Sequence, residues 1–292
     1  MKQDALTGGL LRDVSRSFYL TIKGRPKEMR LGVAVAYLLA RATDSVADTA
    51  TAPLSKRVDA LQQMAAAIDG KPVDTEAMMH ALRHVLAPEK ASEAELLARF
   101  DEALAAAQAL PPRQLGLVRH VLGTIVQGQL WDLSFFEEHN QVLSDEQTRL
   151  YTYRVAGCVG RFWTQLGAAT MGERFCPDAP PLAEMEEAGV RYGCGLQIVN
   201  ILRDRCEDAA RGRSYLCSEP AVWLERAERY LRDGVDYSRR LGCFRLRFAS
   251  MLPALLGLKT LAAIRRAKPG KRVKIPRRAV YASMLRALFA CL

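Results

Sequence analysis

Two acidic clusters carry the chemistry available to this chain: Asp44-Ser45-Val46-Ala47-Asp48 and Asn200-Ile201-Leu202-Arg203-Asp204-Arg205-Cys206-Glu207-Asp208. In each, two aspartates are spaced i and i+4, so on a helix both carboxylates leave one face a turn apart. Like charges placed this way repel and weaken the helix. A hard cation between them removes that cost, and Mg²⁺ is commonly held by one or two carboxylates together with substrate phosphates. The plain alternative is two solvated acidic turns. It explains these clusters poorly, because both follow stretches of apolar, nearly uncharged helix, Val33 to Ala42 and Gly193 to Leu202. Two such faces opposed across a cavity would hold a diphosphate through bridging metal ions.

Other polar residues are in phase with the acids. Tyr37 and Arg41 precede Asp44 at helical spacing, which gives a Tyr–Arg–Asp–Asp face. Gln197, Asn200, Arg203, Asp204 and Asp208 trace a second face, Glu207 stands one turn beyond Arg203, and Arg213 follows the second cluster. Arginine beside carboxylate suits a site where phosphate charge exceeds what metal ions neutralise, since the guanidinium fork matches phosphate oxygens. Salt bridges at i,i+3 and i,i+4 would also explain the arginines, but not Gln197 and Asn200.

The elements that must position these groups are helices. Period 3.6 recurs almost throughout and period two hardly at all, which predicts helices over 9–22, 27–48, 54–69, 74–86, 91–108, 112–133, 144–172, 181–209, 220–240, 243–264 and 276–289. Gly24-Arg25-Pro26, Gly70-Lys71-Pro72, Pro88, Pro111-Pro112, 176–181, Gly212 and Lys268-Pro269-Gly270 mark the breaks. No break resembles an interdomain linker, so one all-α domain over 1–292 is expected. Helix 27–48 has apolar residues on more than one stripe and must be buried nearly all round. Gly189, Gly193 and Gly195 each weaken helix 181–209 by roughly 1 kcal/mol relative to alanine, so a neighbour or ligand must occupy the space they leave.

At 292 residues, with 49% hydrophobic and 25% charged residues, the composition is that of an ordinary globular protein and excludes a disordered or fibrous one. Seven cysteines, none in a CxxC pair, argue against a disulfide framework or a zinc site and for a reducing compartment. The opening MKQDALTGGLLRDVSRS has no apolar core, so the expectation is a cytoplasmic protein without a signal peptide. The longest apolar stretch, Met251 to Ile264, contains Pro253 and Lys259 and falls short of the ~18 residues of a transmembrane helix. His80 and His84, at i,i+4, have no third ligand nearby in sequence and read as a solvated face. Net charge is +10, and residues 265–278 hold eight basic side chains and no acid. No nucleic-acid-binding pattern accompanies them, which leaves a solvated loop, a phosphate-bearing cofactor or peripheral contact with an anionic membrane.

Four stretches, in order, resemble the squalene/phytoene synthase family: 14–19 (Val-Ser-Arg-Ser-Phe-Tyr), 37–48, 151–160 (Tyr-Thr-Tyr-Arg-Val-Ala-Gly-Cys-Val-Gly) and 197–208. The resemblance runs over most of the chain, from about residue 10 to 290. It implies the isoprenoid synthase fold, a helical bundle with a central cavity, and Mg²⁺-dependent head-to-head (1′–1) condensation of two allylic prenyl diphosphates. Carried over by motif, Asp44, Asp48, Asp204 and Asp208 would hold Mg²⁺ and diphosphate, with Asn200 at the metal and Glu207 behind it. Arg16, Ser17, Arg41, Arg203, Arg213 and Gln197 would meet the diphosphates. Tyr151 occupies the family's catalytic tyrosine position and Tyr37 would support it. Phe18, Val155, Ala156 and Leu196 would wall the carbocation off from water.

The segment from Val273 to Val280 resembles the squalene synthase stretch that meets NADPH, which would make Lys274, Arg277 and Arg278 cofactor-binding and farnesyl diphosphate the substrate. Phe162-Trp163-Thr164 resembles bacterial squalene synthases. A phytoene or dehydrosqualene synthase, without NADPH, is the alternative within the family. One departure stands out: after Gly212-Arg213-Ser214-Tyr215-Leu216 the family continues with a proline and a further segment, whereas Cys217 stands here and a helix begins at 220. That departure supports a rival of another class, an inactive lipid-associated helical scaffold.

Overall fold

The structure, a computed structural model, describes residues 9–15, 26–49, 51–85, 90–138, 142–177, 181–267 and 273–291. The regular elements among them are helical. In chain order they are α1 (Leu11–Ser15), α2 (Lys27–Asp48), α3 (Leu54–Asp69), α4 (Thr75–His80), α5 (Ala91–Ala98), α6 (Phe100–Gln108), α7 (Pro112–Glu138), α8 (Asp145–Thr152), α9 (Cys158–Met171), α10 (Leu182–Ala210), α11 (Pro220–Arg239), α12 (Phe244–Arg266) and α13 (Arg277–Cys291). The strand-like pairing among them is an isolated parallel bridge, Val142 to Ser214. The packing gathers into two compact units, Met1–Phe135 and Phe136–Leu292.

In the first unit α2 is the central element. Pro26 precedes its first turn, and thirteen of its residues, including Met29, Val35, Leu38, Leu39, Ala42 and Val46, are buried. It packs against α1, α3, α5 and α6, which is the all-round burial its sequence requires. α3 stops at Gly70, whose φ of +84° is a left-handed helix end that glycine adopts without strain. Two elements differ from the sequence expectation. The helix expected over 74–86 forms as α4 and then widens into a π-turn at Ala81–Val85. The helix expected over 91–108 breaks at Arg99 (φ −115°, ψ 23°), with no proline or glycine to announce it. Of the helix expected over 9–22, residues 16–22 lie outside the described residues.

In the second unit α10 is central, packed against α9, α11 and α12. Its glycines are a packing device. A Cβ on Gly193 would lie 2.3 Å from the carbonyl oxygen of Ala156, and one on Gly160 of α9 only 1.9 Å from that of Gly189. The backbones therefore touch where the motif 151–160 crosses α10. Between α8 and α9 the chain forms a π-turn at Tyr153–Gly157, inside the stretch the sequence read as one continuous helix. α12 runs through Pro253 and Lys259 for 23 residues, as the helix expected over 243–264. By length and composition it could cross a membrane, and 44% of its most apolar window is buried inside the protein.

Candidate active site

Both aspartate pairs sit in the C-terminal turns of the central helices of their units, and neither α2 nor α10 has a basic residue in its last turn. A helix C-terminus carries partial negative charge, so carboxylates there repel the macrodipole as well as each other. Each pair is therefore a place that needs positive charge beside it.

In the first unit Arg41 partly supplies it. Its guanidinium donates through one Nη to Asp44 Oδ2 and through the other, at 2.5 Å, to Glu93 Oε1. Glu93 is 8% exposed and also accepts from Lys90 Nζ at 2.9 Å. Asp44 is half-buried and Asp48, one turn on, is exposed. Burial and then the Asp48 charge push the Asp44 carboxyl up to about 6, against the pull of Arg41. Burial alone would raise Glu93 too, but the hydrogen bond from Lys90 and the charge of Arg41 hold it below the usual carboxylate range. Tyr37, raised chiefly by burial, donates its hydroxyl to the Val14 carbonyl at 3.3 Å. Glu93 and Lys90 were not found from sequence: the partner of Arg41 lies 52 residues away, and nothing local to Glu93 signals it.

In the second unit Arg203 grips Asp204 with two bonds, Nε to Oδ1 at 3.0 Å and Nη2 to Oδ2 at 2.5 Å. The hydrogen bond to Asp204, reinforced by the charges of Asp204, Glu207 and Asp208, holds Arg203 above its ordinary value. Asn200 is exposed on the turn before and donates to Gln197 at 3.4 Å. Past the helix end, the Asp208 carbonyl accepts from the backbone N–H groups of both Arg211 and Arg213 at 2.9 Å. This turn directs the chain back toward α8, where Leu143 N donates to Ser214 O at 2.9 Å and Thr148 Oγ1 to Tyr215 O at 2.5 Å.

That return fixes the catalytic-tyrosine candidate. The Tyr151 ring stacks on Tyr215 at 4.9 Å between centroids, and Phe136 meets Tyr215 edge-on at 5.2 Å. Tyr215 is 6% exposed. The shortened stretch after Leu216 is closed by Asp145, which accepts from Ser218 Oγ at 2.5 Å and Cys217 Sγ at 3.4 Å. A two-residue clasp thus joins Tyr215 to α11 in the place where the resemblance led one to expect a longer segment.

Arg16, Ser17 and Phe18 lie outside the described residues, as do Lys268, Lys271 and Arg272 of the basic segment. Lys274, Arg277 and Arg278 are exposed around the start of α13. His80 and His84 are exposed with ring centroids 5.0 Å apart. Among the described residues no three His, Cys, Asp or Glu side chains gather into a metal-binding group. Two-carboxylate sites fit Mg²⁺, which completes its octahedron with water and substrate phosphate oxygens instead of a protein cage. A recess of about 260 Å³ opens beside α3 and α4, lined by Lys56, Asp59, Gln63 and Met78 among others, and the aspartate pairs take no part in it.

An all-α fold whose two central helices each end in an arginine-bound i,i+4 aspartate pair is the class that this geometry defines. Residues 11–224 match the Squalene/phytoene synthase family, and the chain belongs to it. The sequence is 27% identical over 216 residues to a squalene synthase of Schizosaccharomyces pombe, covering 73% of this chain and 44% of that protein. It is 34% identical over 116 residues to a 15-cis-phytoene synthase of Synechocystis sp., covering 39% of this chain and 33% of that protein. The chain therefore spans half or less of the length of these relatives. The fold is similar to that of TcSQS in complex with the ligand E5700, at a TM-score of 0.76 and 21% identity over 99% of this chain and 88% of that one.

Proposed function

We propose that this chain is a squalene synthase: a prenyltransferase that joins two farnesyl diphosphates head to head through presqualene diphosphate and then reduces that intermediate with NADPH. The observation that carries the reading is the pair of arginine-bound aspartate faces on α2 and α10, within the family match. Asp44 with Asp48, and Asp204 with Asp208 and Asn200, would hold Mg²⁺, which when bound screens the charge of a departing diphosphate. Arg41 and Arg203 hold carboxylates in the free protein. With a diphosphate present, each guanidinium would turn part of its fork to phosphate oxygens, as would Arg213 and, by motif, Arg16 and Ser17.

Ionising an allylic diphosphate requires preorganised positive charge in a site sheltered from water. Glu93 and Lys90 hold Arg41 ready for that task. Tyr151, stiffened by its stack on Tyr215, would stand near the departing diphosphate or the carbon that loses a proton as the cyclopropane closes. Lys274, Arg277 and Arg278 are exposed cations suited to the phosphates of NADPH, which when bound supplies a hydride. The likeness of Val273–Val280 to the squalene synthase stretch that meets NADPH supports the squalene reading. Incubation of the purified protein with Mg²⁺ and radiolabelled farnesyl or geranylgeranyl diphosphate, with and without NADPH, tests it. Squalene formed only when NADPH is present is the expected result. A product distribution indifferent to NADPH would identify a dehydrosqualene or phytoene synthase, and release of no diphosphate would favour the inactive scaffold.

A further inference from the structure

The last helix is apolar on both sides. α13 seats Ser283, Ala287 and Cys291, at i, i+4 and i+8, on its buried face. Ala287 and Cys291 pack with Met251 and Leu255 of α12. Arg247 Nε donates to the Cys291 carbonyl at 3.1 Å and fixes the end of the helix. The opposite face carries Tyr281, Leu285, Leu288 and Phe289, at i, i+4, i+7 and i+8, and they are 62%, 57%, 37% and 72% exposed. A surface helix of a soluble protein normally turns polar residues outward. The other exposed large apolar residues among those described, such as Leu150, Val159 and Leu182, are scattered singly over other elements, which is ordinary. Among the described residues only α13 gathers four in one stripe.

Charge says what that stripe would meet. From Tyr237 to Leu292 the sequence has fourteen Lys and Arg and no Asp or Glu, whereas the residues before Tyr237 carry a net charge of −4. Such asymmetry points to a polyanionic partner. On α13 itself Arg277, Arg278 and Arg286 are exposed and flank the stripe. A polyanion such as a nucleic acid would use the arginines and leave Leu285, Leu288 and Phe289 in water. An anionic bilayer uses both, because aliphatic and aromatic side chains enter the acyl boundary while arginines stay at the phosphate level.

We propose that the outer face of α13 is a docking surface for an anionic lipid bilayer, with Tyr281, Leu285, Leu288 and Phe289 immersed and Arg277, Arg278 and Arg286 on lipid phosphates. Co-sedimentation of the full chain with vesicles of phosphatidylcholine, and of phosphatidylcholine mixed equally with phosphatidylglycerol, tests this at low salt. Binding to the mixed vesicles should fall by more than about ten-fold in the double variant Leu285→Asp, Phe289→Asp. Each Arg→Gln change should weaken it about five-fold, an effect that salt erases. The apolar pair is not part of the proposed NADPH contact, so loss of vesicle binding with NADPH use intact separates the two roles. A Phe289→Trp variant provides a test that needs no disruptive change. Its added fluorescence should shift to the blue on mixing with anionic vesicles and be quenched by brominated acyl chains. Equal sedimentation of wild type and the double variant would overturn the proposal, as would an added tryptophan signal unmoved by vesicles. A dimer in solution that the double variant dissolves, with no vesicle binding by either, would assign the face to a second copy instead.

Discussion

Removing Glu93 tests whether the first aspartate pair is held as described. Glu93→Ala takes away two charge-assisted bonds, from Arg41 at 2.5 Å and from Lys90 at 2.9 Å. The Lys90 side chain is 64% exposed, so its bond contributes at most about 0.5 kcal/mol. The Arg41 side chain is 28% exposed and keeps Asp44 as a partner, which places its loss near the lower end of the ~1.5–3 kcal/mol range for hydrogen bonds to charged groups. The sum is about 2 kcal/mol, a fall in Tm of roughly 4–8 °C for a chain of this size. Glu93→Gln keeps an acceptor and should cost about half as much. Glu93 also helps to raise Asp44, so both variants should move the Asp44 titration below about 6, readable by NMR of labelled aspartate carboxyls. A melt within about 0.5 kcal/mol of wild type, with Asp44 titrating where it did, would show that Arg41 and Asp44 are held by something else.

Further outcomes follow from the same geometry. The Asp44 carboxyl is raised to about 6, so between its unfolded value near 3.9 and about 6 the folded state binds more protons than the unfolded one, and this group's contribution falls as pH rises. The metal-free protein should therefore gain stability from Asp44 on acidification through pH 6, and Mg²⁺ should reverse that trend; denaturant melts with and without Mg²⁺ would show it. Glu93, held low, works with the opposite sign, losing its contribution as pH drops below the ordinary carboxylate range. Gly160→Ala forces a Cβ to within 1.9 Å of the Gly189 carbonyl and should destabilise by about 3 kcal/mol or more, while Gly116→Ala in α7, with open space around it, should stabilise by about 0.5–1 kcal/mol; paired urea titrations distinguish the two. Tyr215→Ala removes the platform under Tyr151 and should cost about 3–5 kcal/mol and most of the turnover, whereas Tyr215→Phe, which keeps the ring, should retain both.

The parts of the molecule that sequence made legible are those set by local periodicity. Aspartates at i,i+4 on a nearly uncharged helix could be read as one face because α2 and α10 are regular there. The interior glycines of α10 could be read as a close approach because glycine inside a helix is unfavourable without one. Illegible features depend on partners distant in the chain. Glu93 meets Arg41 across 52 residues, and the Tyr151–Tyr215 stack depends on a return loop fixed by Asp208, Thr148 and Asp145. The break at Arg99 and the π-turns at 81–85 and 153–157 carry no proline or glycine signal at their start. The outward apolar stripe of α13 could not be told from a buried one, since periodicity shows that a helix has an apolar face but not which way it points.

The central claim is that the two aspartate pairs serve catalysis and not the fold, and it is tested most directly by diphosphate release in Asp44→Asn and Asp204→Asn measured beside thermal melts. Each change removes a charge from a repelling pair at a helix C-terminus, which offsets the charge-assisted bonding that Arg41 or Arg203 gives up, so the metal-free protein should melt close to the wild-type temperature. Release of diphosphate from farnesyl diphosphate with Mg²⁺ should fall by a factor of about a hundred or more, as expected when a group that stabilises a departing charge is lost. Near-normal release from either variant, or a melt lowered by several degrees, would contradict the account and make the aspartates structural.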